Sequence, residues 1–141
     1  VITYVDTSTL IKLIVEEPGS ALAEQIWQSA DALAAVRLIE VEARAALGAA
    51  RRNGRLTTAR HRRSVEVLKE LLRQLDIVEI TADLIAVAAR LAETHALRGY
   101  DAVHLAGAVL VGADALMSAD TMLCDAASAE GIAVANPLGR P

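Results

Sequence analysis

Four acidic residues stand where solubility alone does not call for an acid. Asp6 directly follows the short run Val1–Val5, and Asp120 follows Ala115–Ser118. Both would lie beyond the carboxyl ends of strands. Asp101 follows Arg98-Gly99-Tyr100 and opens a very apolar stretch. Glu42 shares one side of a helical wheel with Leu38, Ala45 and Ala49, with Val41 beside it. Glu40 falls on the opposite side, four residues before Arg44, the spacing of an exposed ion pair. A carboxylate within an apolar stripe is costly unless something pairs with it. Each residue has a bland alternative: Asp6, Asp101 and Asp120 can cap helices, and Glu42 can satisfy a buried Arg or backbone group. The conjunction carries more. Converging carboxylates repel one another, and a hard divalent cation is the simplest compensation. An all-oxygen set suits Mg²⁺ or Mn²⁺ rather than Zn²⁺. A metal held by acids, with open water positions, is the equipment for phosphodiester hydrolysis.

Competing chemistries are weaker. His61, His95 and His104 share no ligand spacing and read as surface or core histidines. Neither a Gly-rich phosphate loop nor a Gly-x-Ser-x-Gly elbow is present. Asp83, Asp114 and Asp125 have ordinary cap or surface contexts. An aspartyl-nucleophile phosphohydrolase would want a second Asp two residues after Asp6, where Ser8 stands.

Short β-branched runs alternate with longer helical stretches. Strands are expected at Val1–Val5, Ala32–Val36, Ile77–Ile80, Ala115–Ser118 and Ile132–Ala135. Helices are expected at Ser8–Glu17, Ser20–Ala30, Arg37–Arg52, Thr57–Leu75, Ala82–His95, Asp101–Val111 and Thr121–Glu130, with Thr57 as an N-cap. That alternation predicts an α/β fold with a parallel sheet covered on both faces. In such sheets ligands bind beyond the carboxyl ends of the strands.

Composition narrows the partners. Aromatic residues make up 2% of the chain, which argues against a binding surface built on stacked bases, so nucleic acid would be held through its phosphates. The single Cys124 offers neither an internal disulfide nor a cysteine zinc site, which fits a reducing, cytoplasmic setting. No signal peptide is visible, and the longest apolar stretch, Ala102–Ala113, is too short for a membrane span and is interrupted by His104. The net charge is −4, yet ten of the fourteen basic residues fall between Arg37 and Arg73 with only four acids, Glu40, Glu42, Glu66 and Glu70. That local excess could draw a polyanion to one side, or be a solvated, salt-bridged face.

The segments Tyr-Val-Asp6-Thr-Ser, Val-Glu42-Ala-Arg-Ala-Ala-Leu, Leu-Arg-Gly-Tyr-Asp101-Ala-Val-His-Leu-Ala and Met-Ser-Ala-Asp120-Thr occur in this order. In them the chain resembles the PIN domain, especially the toxin component of VapBC-type toxin–antitoxin systems. The resemblance covers nearly the whole chain and implies a single PIN domain over residues 1–141, a three-layer α/β/α sandwich with a central parallel sheet. It implies a Mg²⁺- or Mn²⁺-dependent endoribonuclease leaving a 5′-phosphate and a 3′-hydroxyl, a homodimer, and neutralisation by a cognate antitoxin. On this reading Asp6, Asp101 and Asp120 hold the metal, and Glu42 completes the catalytic site. Ser118 would help order it, and the basic segment Arg51–Arg73 would hold the RNA backbone. An antitoxin Arg or Lys inserted among the carboxylates would displace the metal. The alternative is a PIN-like scaffold that binds RNA or protein without cutting; intact acids at all four positions argue against it.

Overall fold

A computed structural model describes residues 1–139; Arg140 and Pro141, the last two residues of the expected domain, lie outside the described residues. In chain order the elements are β1 (Ile2–Val5), α1 (Thr7–Lys12), α2 (Ser20–Ser29), β2 (Ala32–Val36), α3 (Leu38–Arg52) and α4 (Thr58–Arg73). They continue with β3 (Asp76–Val78), α5 (Ala82–His95), α6 (Gly99–Leu110), β4 (Ala115–Met117), α7 (Thr121–Ala129) and β5 (Ala133–Ala135). Every strand pairing is parallel, and the five strands lie in the order β3-β2-β1-β4-β5. No helix among the described residues is long and apolar enough to cross a membrane.

Alternation along the strands divides the interior into two cores, as a sheet covered on both faces requires. Tyr4, Val36 and Leu116 join the side chains of α5, α6 and α7 on one face. Val5, Leu33, Ala35 and Met117 join those of α1 to α4 on the other. The three-layer sandwich therefore stands as the sequence leads one to expect. Thr57 caps α4 by accepting from Arg60 N–H, and Thr81 does the same for α5 through Leu84 N–H.

Several boundaries differ from expectation. Helix α1 stops at Lys12 because Leu13 and Ile14 turn back onto carbonyls three residues earlier, and Pro18 disfavours helical geometry before it. The third strand covers Asp76–Val78 rather than Ile77–Ile80, since Arg37 N–H closes the ladder at Val78 O. Helix α6 begins at Gly99, so Asp101 lies within its first turn.

One glycine fixes how closely α6 meets the sheet. A Cβ on Gly107 would stand 2.4 Å from Val36 Cγ1 and 3.1 Å from Tyr4 Cε2. Both neighbours are fully buried and cannot move aside cheaply. Gly107→Ala is therefore expected to destabilise the fold by about 1–3 kcal/mol despite alanine's better helix propensity. Urea denaturation reads this out, and an unchanged midpoint would contradict the close packing.

Candidate active site

The strand order makes β1 the centre of the sheet, and the chain builds β2 and β3 on one side of it before β4 and β5 on the other. The reversal between β1 and β4 leaves a crevice at their carboxyl ends, where helices diverge to opposite faces. A cleft of about 200 Å³ opens there. All four carboxylates expected from the sequence line it: Asp6, Glu42, Asp101 and Asp120. Thr7, Ser8, Arg98, Tyr100, His104 and Leu123 complete the wall.

Asp6 is buried and caps α1, accepting from Thr9 N–H at 3.0 Å. Its Oδ1 also takes the hydroxyls of Thr9 and Ser8, each at 2.9 Å. Ser118 donates to Oδ2 at 2.5 Å and accepts from Asp120 N–H at 3.0 Å, so one hydroxyl ties the ends of β1 and β4 together. Capping and site-building are one arrangement at Asp6. Asp120 likewise caps α7 through Oδ1, which accepts from Met122 and Leu123 N–H. Beneath them the Cys124 thiol donates to Ser118 O, and burial pushes its pKa up to about 11, so it is an inert packing group.

Glu42 reaches the cleft differently from the expected stripe. The buried face of α3 is Ile39, Ala43, Leu47 and Ala50, while Ala45 and Ala49 are exposed. Larger side chains than alanine chose the face, and Glu42 sits half-buried at its edge. Glu40 is exposed, but among the described residues it makes no ion pair with Arg44. The partner of Glu42 is neither an Arg nor a backbone group. Its Oε1 accepts from Thr7 Oγ1 at 2.7 Å and lies 2.6 Å from His104 Nε2. Burial alone would raise the Glu42 pKa, but the donors from His104 and Thr7 outweigh it and hold the carboxyl below its usual range. On the other ring nitrogen, His104 Nδ1 meets the Tyr4 hydroxyl at 2.8 Å.

His104, Thr7 and Ser8 are site residues that the sequence reading passed over. A signal for His104 was present: it stands one helical turn after Asp101, on the same side of α6. The expectation of an ordinary core histidine is correct about burial and silent about the carboxylate it faces.

Asp101 is not a helix cap; Arg98 holds that position without a side-chain cap bond. Burial and the neighbouring charge of Asp120 raise the Asp101 pKa, and Arg98 opposes them. Arg98 Nε lies 3.2 Å from Asp101 Oδ2, and its guanidinium reaches 3.9 Å from Asp120 Oδ2 while covering the exposed Tyr100 ring at 4.9 Å. The pair of acids thus lacks positive charge that one exposed arginine supplies only in part. An oxygen-only donor set with that unmet demand fits a hard divalent cation. As the side chains stand, no three His, Cys, Asp or Glu among the described residues are close enough to hold one, and Arg98 lies against two of the four acids.

The basic segment is divided. Arg37, Arg55, Lys69 and Arg73 pair with Glu79, Glu17, Glu66 and Glu70. Arg60 and Arg63, with the paired Arg55 and with Glu16, line a hollow of about 420 Å³ where α4 meets the segment Ile14–Glu16 after α1.

The raised pKa of Asp101 has a stability consequence in metal-free protein. A carboxyl whose folded pKa lies above its unfolded value of about 3.9 binds its proton more tightly when folded, so stability falls as pH rises through that window. Asp101→Asn removes the charge without changing shape. In EDTA the variant is expected to melt above the wild type at pH 7, with the gain fading below the carboxylate range. A variant melting lower at pH 7 would count against this electrostatic account.

Relatives agree with the geometry. The family model described as PIN domain matches residues 3–129. Ribonuclease VapC49 of Mycobacterium tuberculosis is 41% identical over 136 residues, covering 95% of this chain and 94% of its own. Among solved structures, PAE2754 from Pyrobaculum aerophilum aligns at TM-score 0.72 with 26% identity, over 97% of this chain and 84% of that one. A chain of the toxin–antitoxin complex from Klebsiella pneumoniae aligns at TM-score 0.70 with 20% identity, over 96% and 97%. By its family match and its near-full-length relative, the chain belongs to the PIN domain family.

Proposed function

We propose that this chain, as a single PIN domain over residues 1–141, is a metal-dependent endoribonuclease, the toxin of a toxin–antitoxin pair acting in the cytoplasm. The observation that carries the reading is the convergence of Asp6, Glu42, Asp101 and Asp120 on one cleft at the switch point between β1 and β4. The 41% identity to a ribonuclease over 95% of the chain supports the substrate class. Divalent-metal dependence is general among PIN-domain ribonucleases; Mg²⁺ or Mn²⁺ is the specific reading from the oxygen donors.

Asp6, Asp101 and Asp120 would hold the cation and Glu42 would complete the site. When bound, the cation supplies charge for the phosphate oxygens and acidity for the attacking water. The chain's own residues set the geometry. Ser8, Thr9 and Ser118 keep Asp6 from rotating by donating to both of its oxygens. Thr7 and His104 hold one oxygen of Glu42 and leave the other without a protein donor among the described residues. Arg98, displaced from Asp101 and Asp120, would remain at the cleft as a phosphate ligand. Tyr100 offers one exposed ring at the mouth, too little to read sequence by stacking alone.

RNA would be gripped outside the cleft by arginines that form no ion pair among the described residues, Arg60 and Arg63 first. An antitoxin would inhibit by placing an Arg or Lys among the carboxylates, the position that Arg98 partly fills. A homodimer belongs to the same reading. The apolar hollow between α5 and α6, lined by Ile85, Ala89 and Val103 among others, is the face with the chemistry to support it.

Cleavage of a total bacterial RNA pool tests the assignment. Discrete fragments are expected with Mg²⁺ or Mn²⁺ and none in EDTA. Asp101→Asn should lower the rate by at least about 100-fold, roughly 2.7 kcal/mol of barrier. Intact RNA under all conditions, with cation binding verified, would move the assignment to a non-cutting scaffold. The grip is tested separately. If Arg60 and Arg63 both touch phosphates, replacing them with Ala should flatten the slope of log affinity against log salt by about 1.4. An unchanged slope would place the RNA elsewhere.

A further inference from the structure

We propose that His104 is a positioning residue of this site: its neutral imidazole donates from Nε2 to Oε1 of Glu42, and the phenol of Tyr4 holds it in that form from behind. The proposal rests on the nuclease reading above and adds a residue to it.

Hydrogen-bond accounting at three buried groups settles the direction of each bond. Val36 N–H can only donate, and its acceptor is the Tyr4 oxygen at 3.1 Å. Tyr4 is fully buried, and a phenol keeps its proton at neutral pH. The remaining partner of that hydroxyl is His104 Nδ1 at 2.8 Å. If Nδ1 carried a proton, the phenol oxygen would take two donors and its own proton would have no acceptor among the described residues. A buried donor left unmade is disfavoured, so the phenol donates and Nδ1 accepts. The ring proton of a neutral imidazole then lies on Nε2, facing Glu42 Oε1 at 2.6 Å. No buried side-chain polar atom among the described residues is left unpartnered, which this assignment satisfies.

The ring is also held against rotation. His104 is 2% exposed and meets the Tyr4 ring edge-on at 5.8 Å between centroids. Gly107, one turn along α6, lets that helix approach Tyr4 closely enough for the contact. Backbone, phenol, imidazole and carboxylate thus form one chain from the end of β2 to the cleft. Thr7 donates to the same Oε1 at 2.7 Å, so both donors fall on one oxygen of a side chain that lines the cleft, and Oε2 has no protein donor among the described residues. A ring nitrogen fixed by the hydrogen bond at the other nitrogen is the usual way a protein orients an imidazole and what it touches.

Two measurements on the full chain test this. In NMR of imidazole-labelled protein, with His104→Gln used to assign its signal, His104 is expected to show a protonated Nε2 and a bare Nδ1. A proton on Nδ1, with or without one on Nε2, would overturn the assignment. Cleavage kinetics with Mn²⁺ then compare two variants. His104→Leu should lose about tenfold to a hundredfold in kcat with KM little changed, and His104→Gln, which keeps an N–H donor, should recover most of it. Equal losses for both variants, following their melting temperatures, would reduce His104 to packing and sink the proposal, as would a Leu variant with wild-type kcat. A wild type that cuts no RNA would sink the nuclease reading instead, while the NMR result still decides whether His104 and Tyr4 are arranged as proposed.

Discussion

A carboxylate buried at the end of the central strand is the constraint from which the rest of this site follows. Asp6 is 5% exposed, and a charge taken that far from water must be supplied with donors or it destabilises the fold. The supply comes from two sides: the first turn of α1, through Thr9 and the Ser8 hydroxyl, and Ser118 just past β4. Each donor is also a structural tie. Thr9 joins α1 to Met117 O, and Ser118 joins β1 to the backbone of Asp120. Satisfying one charge therefore fixes the mouth of the sheet where its two halves part.

Around Asp6 the other acids are satisfied less completely, and the gradient has meaning. Among the described residues, Glu42 is partnered on one oxygen only. Asp101 is left with a raised pKa because burial and Asp120 outweigh Arg98. A cleft tuned for folding alone would not keep two carboxylates in mutual repulsion beside an exposed arginine. Stability forgone in this way is a mark of a functional site rather than of a structural ion-pair network.

Legibility in the sequence followed from how local each signal is. Strand and helix alternation reads directly from β-branched runs and helical spacing, so the parallel sandwich was visible. Asp6 and Asp120 were visible because a strand end is a local feature. Glu42 lines the cleft and Glu40 does not, yet the stripe that singles Glu42 out is one the structure does not bury: Ala45 and Ala49 look apolar in a wheel, but Ile39 and Leu47 have more surface to hide. His104 was passed over because its partners, Tyr4 and Glu42, lie 100 and 62 residues away.

By itself, the sequence determined which residue types were available, where the elements begin and end to within a few positions, and that four acids fall at element ends or edges. Local sterics, helix capping and hydrophobic periodicity act over a few residues, and a linear chain displays them. Only the tertiary structure decided which acids share a cleft, which face of α3 is buried, and that an imidazole and a phenol stand behind Glu42. Those depend on a strand order that brings β1 beside β4 and on a glycine that lets α6 close onto the sheet. Contacts between distant segments are set by packing the whole core at once, and no short stretch of sequence contains them.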